Sequence, residues 1–221
     1  TIRSSVMAKY VVFDGMDGSG KGTQMRLLEE KFGNSVVFTR EPGGTPFAEE
    51  IRKIVRDNPL AGKSTALNNF LLFWAAREEL QHNLIVPALQ SGKYVFSDRG
   101  DSSTYAFQIC GEEHKELSHL FNLMRKHVFL ERQKPDLYII FDLPAEEARE
   151  RAMRDASREK NHFDIRNLAY YKRVREGFRE FAEHIPVEFI DATRSPEKIH
   201  RSVLMTLAKK MIIPELAFVI E

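Results

Sequence analysis

The run Lys9-Tyr10-Val11-Val12-Phe13-Asp14-Gly15-Met16-Asp17-Gly18-Ser19-Gly20-Lys21 joins two different patterns. Lys9 to Asp14 is rich in Val and aromatic residues and reads as a short buried strand. The glycines at 15, 18 and 20 then break any regular element, and a helical run follows from Lys21 to Phe32. Strand, glycine-rich turn and helix, in that order, are the context in which such a turn binds phosphate. Glycines let backbone N–H groups point inward around phosphate oxygens, the helix N-terminus adds a positive dipole, and Lys21 neutralises the outer phosphates. This reading takes Gly15, Met16, Asp17, Gly18, Ser19, Gly20, Lys21, Gly22 and Thr23 as the phosphate-binding set. Position 22, where the motif usually has a Ser or Thr for a metal, is glycine, so a Mg²⁺ shell here is expected to be more water than protein.

Similar apolar segments recur at Val36 to Thr39, Tyr94 to Ser97, Leu137 to Asp142 and Val187 to Asp191, separated by helical patterns. Strands alternating with helical crossovers predict an α/β fold: a mostly parallel five-stranded sheet with helices on both faces. In such sheets ligands bind beyond the carboxyl ends of the strands. The polar clusters Asp14 to Thr23, Arg40 to Thr45 and Asp98 to Gln108 all follow strand ends, which places them in one crevice.

The whole-chain numbers remove several classes. With 33 Lys plus Arg against 32 Asp plus Glu in 221 residues, no global basic field exists to hold nucleic acid or an anionic membrane. No apolar run approaches the roughly 20 residues that span a bilayer. The single cysteine, Cys110, cannot form an internal disulfide, so a cytoplasmic location is expected. Residues 1–8 are expected to be a disordered or tag-derived lead, because Thr1 to Val6 precedes an internal Met7 without the apolar core of a signal peptide. Residues 9–211 then form one domain, with 212–221 as a tail of unassigned role.

Asp98-Arg99 follows a strand, so a carboxylate able to hold Mg²⁺ through water sits beside a guanidinium able to grip phosphate bidentately. Phe73 and Arg77, four residues apart on a predicted helix, share a face and suit a flat nucleobase; Phe70, one turn earlier, reads as core. The segment around 149–163 is dense in arginine, lacks a strand pattern and joins two helices, which makes it the candidate flap.

These residues resemble the thymidylate kinase family, over nearly the whole chain from Lys9 to about Lys210. Four blocks carry the likeness in order: the phosphate loop; Thr39-Arg40-Glu41-Pro42-Gly43-Gly44-Thr45; Leu71-Leu72-Phe73-Trp74-Ala75-Ala76-Arg77; and Asp98-Arg99 with Ser103, Ala106, Phe107 and Gln108. The resemblance implies ATP-dependent phosphorylation of dTMP with Mg²⁺ on the nucleoside monophosphate kinase fold, usually as a homodimer. It implies Phe73 stacked on thymine, Arg77 bonded to an exocyclic oxygen, and Arg52 and Arg99 on the dTMP phosphate. Asp17 takes the place of the loop carboxylate, Lys21 serves ATP, and Asp98 supports the metal. Arg40, Glu41, Pro42, Ser103, Thr104, Phe107 and Gln108 complete the monophosphate site, with a cis peptide at Glu41-Pro42. Asp14 stands where many relatives carry Glu.

Some relatives place a catalytic arginine inside the phosphate loop, where this chain has Gly18. Arg151, Arg154 and Arg158, preceding Phe163-Asp164, resemble the bacterial-like subgroup with flap arginines, with Arg158 and then Arg154 the expected catalytic pair. Gly100 stands where relatives generally carry an aromatic or His side chain near the sugar. With Gly22-Thr23 it motivates the alternative of a kinase for UMP, AMP or another deoxynucleotide. A nucleotide-sensing module that catalyses little is a third reading, and a complete acceptor-side arginine set argues against it.

Overall fold

Five strands among the described residues, β1 (Tyr10–Gly15), β2 (Val36–Arg40), β3 (Tyr94–Asp98), β4 (Leu137–Asp142) and β5 (Val187–Asp191), pair in parallel in the order β2-β3-β1-β4-β5. The structure, a computed structural model, describes residues 8–130, 134–154, 166–183, 185–210 and 212–213. Every residue of the central β1 is buried, whereas the edge strands β2 and β5 are only partly covered, as expected of a parallel sheet sandwiched by crossovers. The register aligns the chemistry. Phe13 and Arg40 both pair with Asp98, and Gly15 pairs with Phe141, so the carboxyl ends of β1, β2 and β3 meet at one edge of the sheet.

The crossovers are α1 (Lys21–Phe32), α2 (Pro46–Arg52), α3 (Ala66–Leu80), α4 (Val86–Gln90), α5 (Asp101–Ser103), α6 (Ser118–Leu130), α7 (Ala145–Arg154), α8 (Leu168–Ala182) and α9 (Pro196–Lys209). Their starts are written in sequence. Thr45 accepts from the Ala48 N–H with Pro46 at the first turn, Thr65 accepts from Asn68 N–H, and Asn167 accepts from Tyr170 N–H. α2, α3 and α5 each run on into a π-helical stretch, at Lys53–Asp57, Gln81–Ile85 and Thr104–Gly111.

Phe96 on β3 is the hub of the core, meeting Phe13, Phe32 and Phe38 edge-on at 5.0–5.9 Å between centroids. A smaller cluster of Ala48, Ile51, Val55 and Ala76, with Leu72 and Phe73 against it, packs α2 on α3. Of the expected lead only Ala8 is described. Ile212 and Ile213, the first residues of the expected tail, are buried in the main core, while 214–221 lie outside the described residues. The arginine-dense segment is helical as far as it is described, since α7 extends to Arg154; Arg158, Phe163 and Asp164 lie outside the described residues.

Candidate active site

The three strand-end clusters line a crevice of about 680 Å³. Residues 16–23 of the phosphate loop form one wall, while Gly15 sits beneath it, accepting through its carbonyl from Arg99. Gly18 has φ 82°, and a β-carbon there would lie 2.2 Å from the Ala148 carbonyl oxygen of α7. No side chain fits at that position. The missing loop arginine is therefore a packing requirement: α7 presses on the loop where such a side chain would start.

Arg99 lies at the floor with φ 74°, in the left-handed region that residues other than glycine rarely adopt. Its Nη1 donates to Asp14 at 3.2 Å and to Ser103 Oγ at 3.0 Å, and its Nη2 donates to Asp17 at 2.8 Å. Burial works against its charge, but Asp17, Asp14 and Asp98 outweigh it and hold its pKa above that of an ordinary arginine. Asp14 is fully buried and also accepts from Gly15 N–H, Ser102 Oγ and Ser103 Oγ, so it anchors Arg99 from below and does not face the crevice. Asp101, buried, ties the same strand end to Arg125 at 2.6 Å and Tyr138 at 2.7 Å.

Lys21 donates to Asp98 Oδ1 across the crevice. Burial pushes the Asp98 carboxyl up, and Lys21 and Arg99 more than offset it, leaving it below its usual range and ionised. Gly100, beside them, is in extended backbone, and a β-carbon there would meet the Val12 methyls at 2.9 and 3.0 Å. Close approach to β1 accounts for that glycine.

On the opposite wall Phe73 lines the crevice, whereas Phe70 is entirely buried in the core. Arg77 is 1% exposed, donates from Nε to Glu41 at 2.7 Å and from Nη2 to Thr104 at 3.0 Å, and lies 4.4 Å from the Trp74 ring. Its Nη1 and the Gln108 Oε1 are buried without a hydrogen-bond partner, and both residues line the crevice. Ser103, Thr104 and Phe107 stand beside them, and the Glu41-Pro42 bond is cis.

Arg40, Arg52 and Arg56 form the remaining side. Arg40 is held by Glu49 at 3.0 and 3.1 Å, and Arg52 donates to the Pro42 carbonyl at 2.7 Å. Sequence reasoning missed Arg56; its spacing of four from Arg52 was the available signal. Of the flap arginines, Arg151 reaches the crevice wall and donates to the Ala192 carbonyl at 2.9 Å. Arg154 is exposed, paired with Glu150 on its own helix and away from the crevice lining.

The thymidylate kinase family model matches residues 13–203. The thymidylate kinase of Pelotomaculum thermopropionicum is 38% identical over 201 residues, covering 89% of this chain and 91% of the relative. That of Bradyrhizobium sp. is 38% identical over 204 residues, covering 88% and 87%. The crystal structure of thymidylate kinase from Ehrlichia chaffeensis superposes with a TM-score of 0.69 at 30% identity, covering 90% of this chain and 98% of that one. The chain belongs to the thymidylate kinase family. It is a nucleoside monophosphate kinase, phosphorylating dTMP with ATP as the phosphoryl donor.

A thymidylate kinase must bring two polyanions together, and the crevice suits that demand. The phosphate loop and the guanidiniums of Arg40, Arg52, Arg56 and Arg99 line it together, and Arg99 bonds Asp17 of the loop. No group of three His, Cys, Asp or Glu side chains that could cage a metal occurs among the described residues. None of the described helices is long and apolar enough to cross a membrane.

Proposed function

We propose that this chain converts dTMP to dTDP by direct in-line transfer of the γ-phosphoryl group of ATP across this crevice. The position of Arg99 carries the reading: it bonds Asp17 of the donor loop and stands beside the Asp98–Lys21 pair, so one cation serves both reacting phosphates. Lys21 and the backbone of residues 16–23 hold the ATP phosphates. Arg99 and Arg52 hold the acceptor phosphate, with Asp17 near the sugar and phosphate and Arg40 at the rim. Phe73 stacks on the thymine and Arg77, fixed by Glu41 and Thr104, presents Nη1 to an exocyclic oxygen. Pro42, Ser103, Phe107 and Gln108 close the base pocket. Of the described flap arginines, Arg151, which lines the crevice, is the one offered to the transferring group; Arg158, expected from sequence as the first catalytic arginine, lies outside the described residues.

Mg²⁺ accompanies ATP in this reading, with Asp98 as its protein support through water. Asp98 fits that role, because its partly exposed carboxylate stands ionised at the crevice wall while Gly22 offers no hydroxyl. The ion would keep water and phosphate oxygens as most of its shell and neutralise phosphate charge. A homodimer is supported by Phe47, Ile54, Leu60, Leu67 and Leu71, exposed apolar side chains on and around α2 and α3. A cytoplasmic location is supported by Cys110, which is buried and unbridged.

The mechanism is tested with ATP made chiral at its γ-phosphorus by oxygen isotopes. Direct transfer inverts the configuration in dTDP; retention would require a phosphoenzyme and contradict it.

A further inference from the structure

We propose that Arg56 is a second phosphate-binding cation of the acceptor site, acting beside Arg52 on the phosphate of the nucleoside monophosphate. The inference rests on the reading above that the acceptor phosphate lies at the Arg99–Arg52 side of the crevice.

The charges on the crevice wall sort into matched and unmatched. Lys21 is matched by Asp98, Arg99 by Asp17 and Asp14, Arg77 by Glu41, Arg40 by Glu49 and Arg151 by Glu147. Arg52 and Arg56 line the same crevice, and neither has a carboxylate within ion-pair distance among the described residues. Arg52 donates one nitrogen to the Pro42 carbonyl; Arg56, half-buried, makes no hydrogen bond to the described residues. The two lie four residues apart across the junction where α2 passes into the π-helical stretch Lys53–Asp57, which keeps both on the crevice side. Burial, with the neighbouring guanidiniums of Arg56 and Arg40, pulls Arg52 down to about 10, and the more distant charges of Glu49 and Asp57 offset this crowding only in part.

Two unmatched cations equal the charge of a phosphate monoester, which carries about −1.5 to −2 at pH 7. An anion of that charge on this wall relieves the crowding and satisfies both guanidiniums bidentately, whereas the neutral nucleoside gains nothing from them.

The experiment is calorimetric binding of dTMP and of thymidine, which lacks the phosphate, to the wild-type chain and to Arg56→Met, Arg56→Lys and Arg52→Met. Arg56→Met is expected to weaken dTMP about 10-fold, the effect of one charge-assisted hydrogen bond, and to leave thymidine unchanged. Retained thymidine binding reports that the variant is folded. Arg56→Lys keeps the charge without the fork and is expected to fall between the two. Unchanged dTMP affinity in Arg56→Met, or equal losses for dTMP and thymidine, would overturn the assignment. If Arg52→Met weakens dTMP while Arg56→Met does not, Arg56 alone is wrongly assigned; if neither does, the placement of the acceptor phosphate fails as well.

Discussion

Arg77 donates from Nε to a Glu41 carboxylate oxygen at 2.7 Å, with both side chains removed from solvent. The pair joins α3 to the loop after β2 and fixes Arg77 at the crevice wall, with one guanidinium nitrogen, Nη1, left without a partner. Glu41 also has one buried oxygen, Oε1, with no partner. This is a costly arrangement for stability alone, since a buried pair rarely outperforms apolar packing. It is sensible for a site that must present a fixed donor to a flat base.

Burial pushes the Glu41 carboxyl from 4.5 up to about 7, with Arg77 pulling the other way. Between those values the folded state binds a proton that the unfolded chain has released, so stability falls as pH rises through that window. Glu41→Gln removes this slope, because the amide does not titrate while its oxygen still accepts from Arg77. Melting curves taken at intervals from the acid to the neutral end of the window check it; equal slopes in both proteins would contradict the Glu41 assignment.

Phe73 and Phe70 are one turn apart on α3 and separate function from packing. Phe73→Ala is expected to weaken dTMP binding by the roughly 1–3 kcal/mol of a lost base stack and leave ATP binding unchanged. Phe70→Ala, at a fully buried position, is expected to cost about 3–5 kcal/mol of folding stability. Calorimetry and denaturant unfolding on both variants distinguish the two roles, and an inverted pattern would refute them.

Gly18 allows no side chain. Gly18→Ala should lower stability by at least the roughly 1–3 kcal/mol of a non-glycine residue in left-handed backbone, because its methyl would also run into the Ala148 carbonyl. Gly18→Arg should therefore fail to supply a loop arginine and lose activity. A stable, more active Gly18→Arg would show that α7 yields.

The flap arginines divide by position. Arg151→Ala should lower kcat by about 10²-fold or more with a smaller change in the KM for ATP, as expected of a cation acting on the transferring group. Arg154→Ala, which removes only an exposed pair with Glu150, should leave kcat within about twofold. Steady-state rates with dTMP saturating provide the check, and the reverse ranking would return the role to Arg154, the second of the two arginines expected from sequence.

Much of this was legible in sequence because local pattern and fold agree. The phosphate loop, the strands and the Phe73/Arg77 spacing rest on periodicities of one element each, and the structure reproduces them within a residue or two at the ends. What the sequence hid depends on contacts between distant elements. Asp14 reads as a strand-end acid like Asp98, but the packing of α5 over β1 buries it as the anchor of Arg99. Gly18 and Gly100 read as missing side chains, and only the approach of Ala148 and Val12 reveals why glycine stands there. The π-helical continuation of α2, which brings Arg56 to the crevice, has no clear composition signal at all.

Whether this crevice moves phosphate from ATP to dTMP is decided by coupled ADP release with ATP and Mg²⁺ across dTMP, dUMP, UMP, AMP and dAMP, for the wild type and Lys21→Ala. The highest kcat/KM is expected for dTMP, with turnover in folded Lys21→Ala reduced by about 10²–10³ through loss of one preorganised donor to the developing charge. Equal or faster turnover of AMP or UMP, or near-normal turnover in Lys21→Ala, would contradict it.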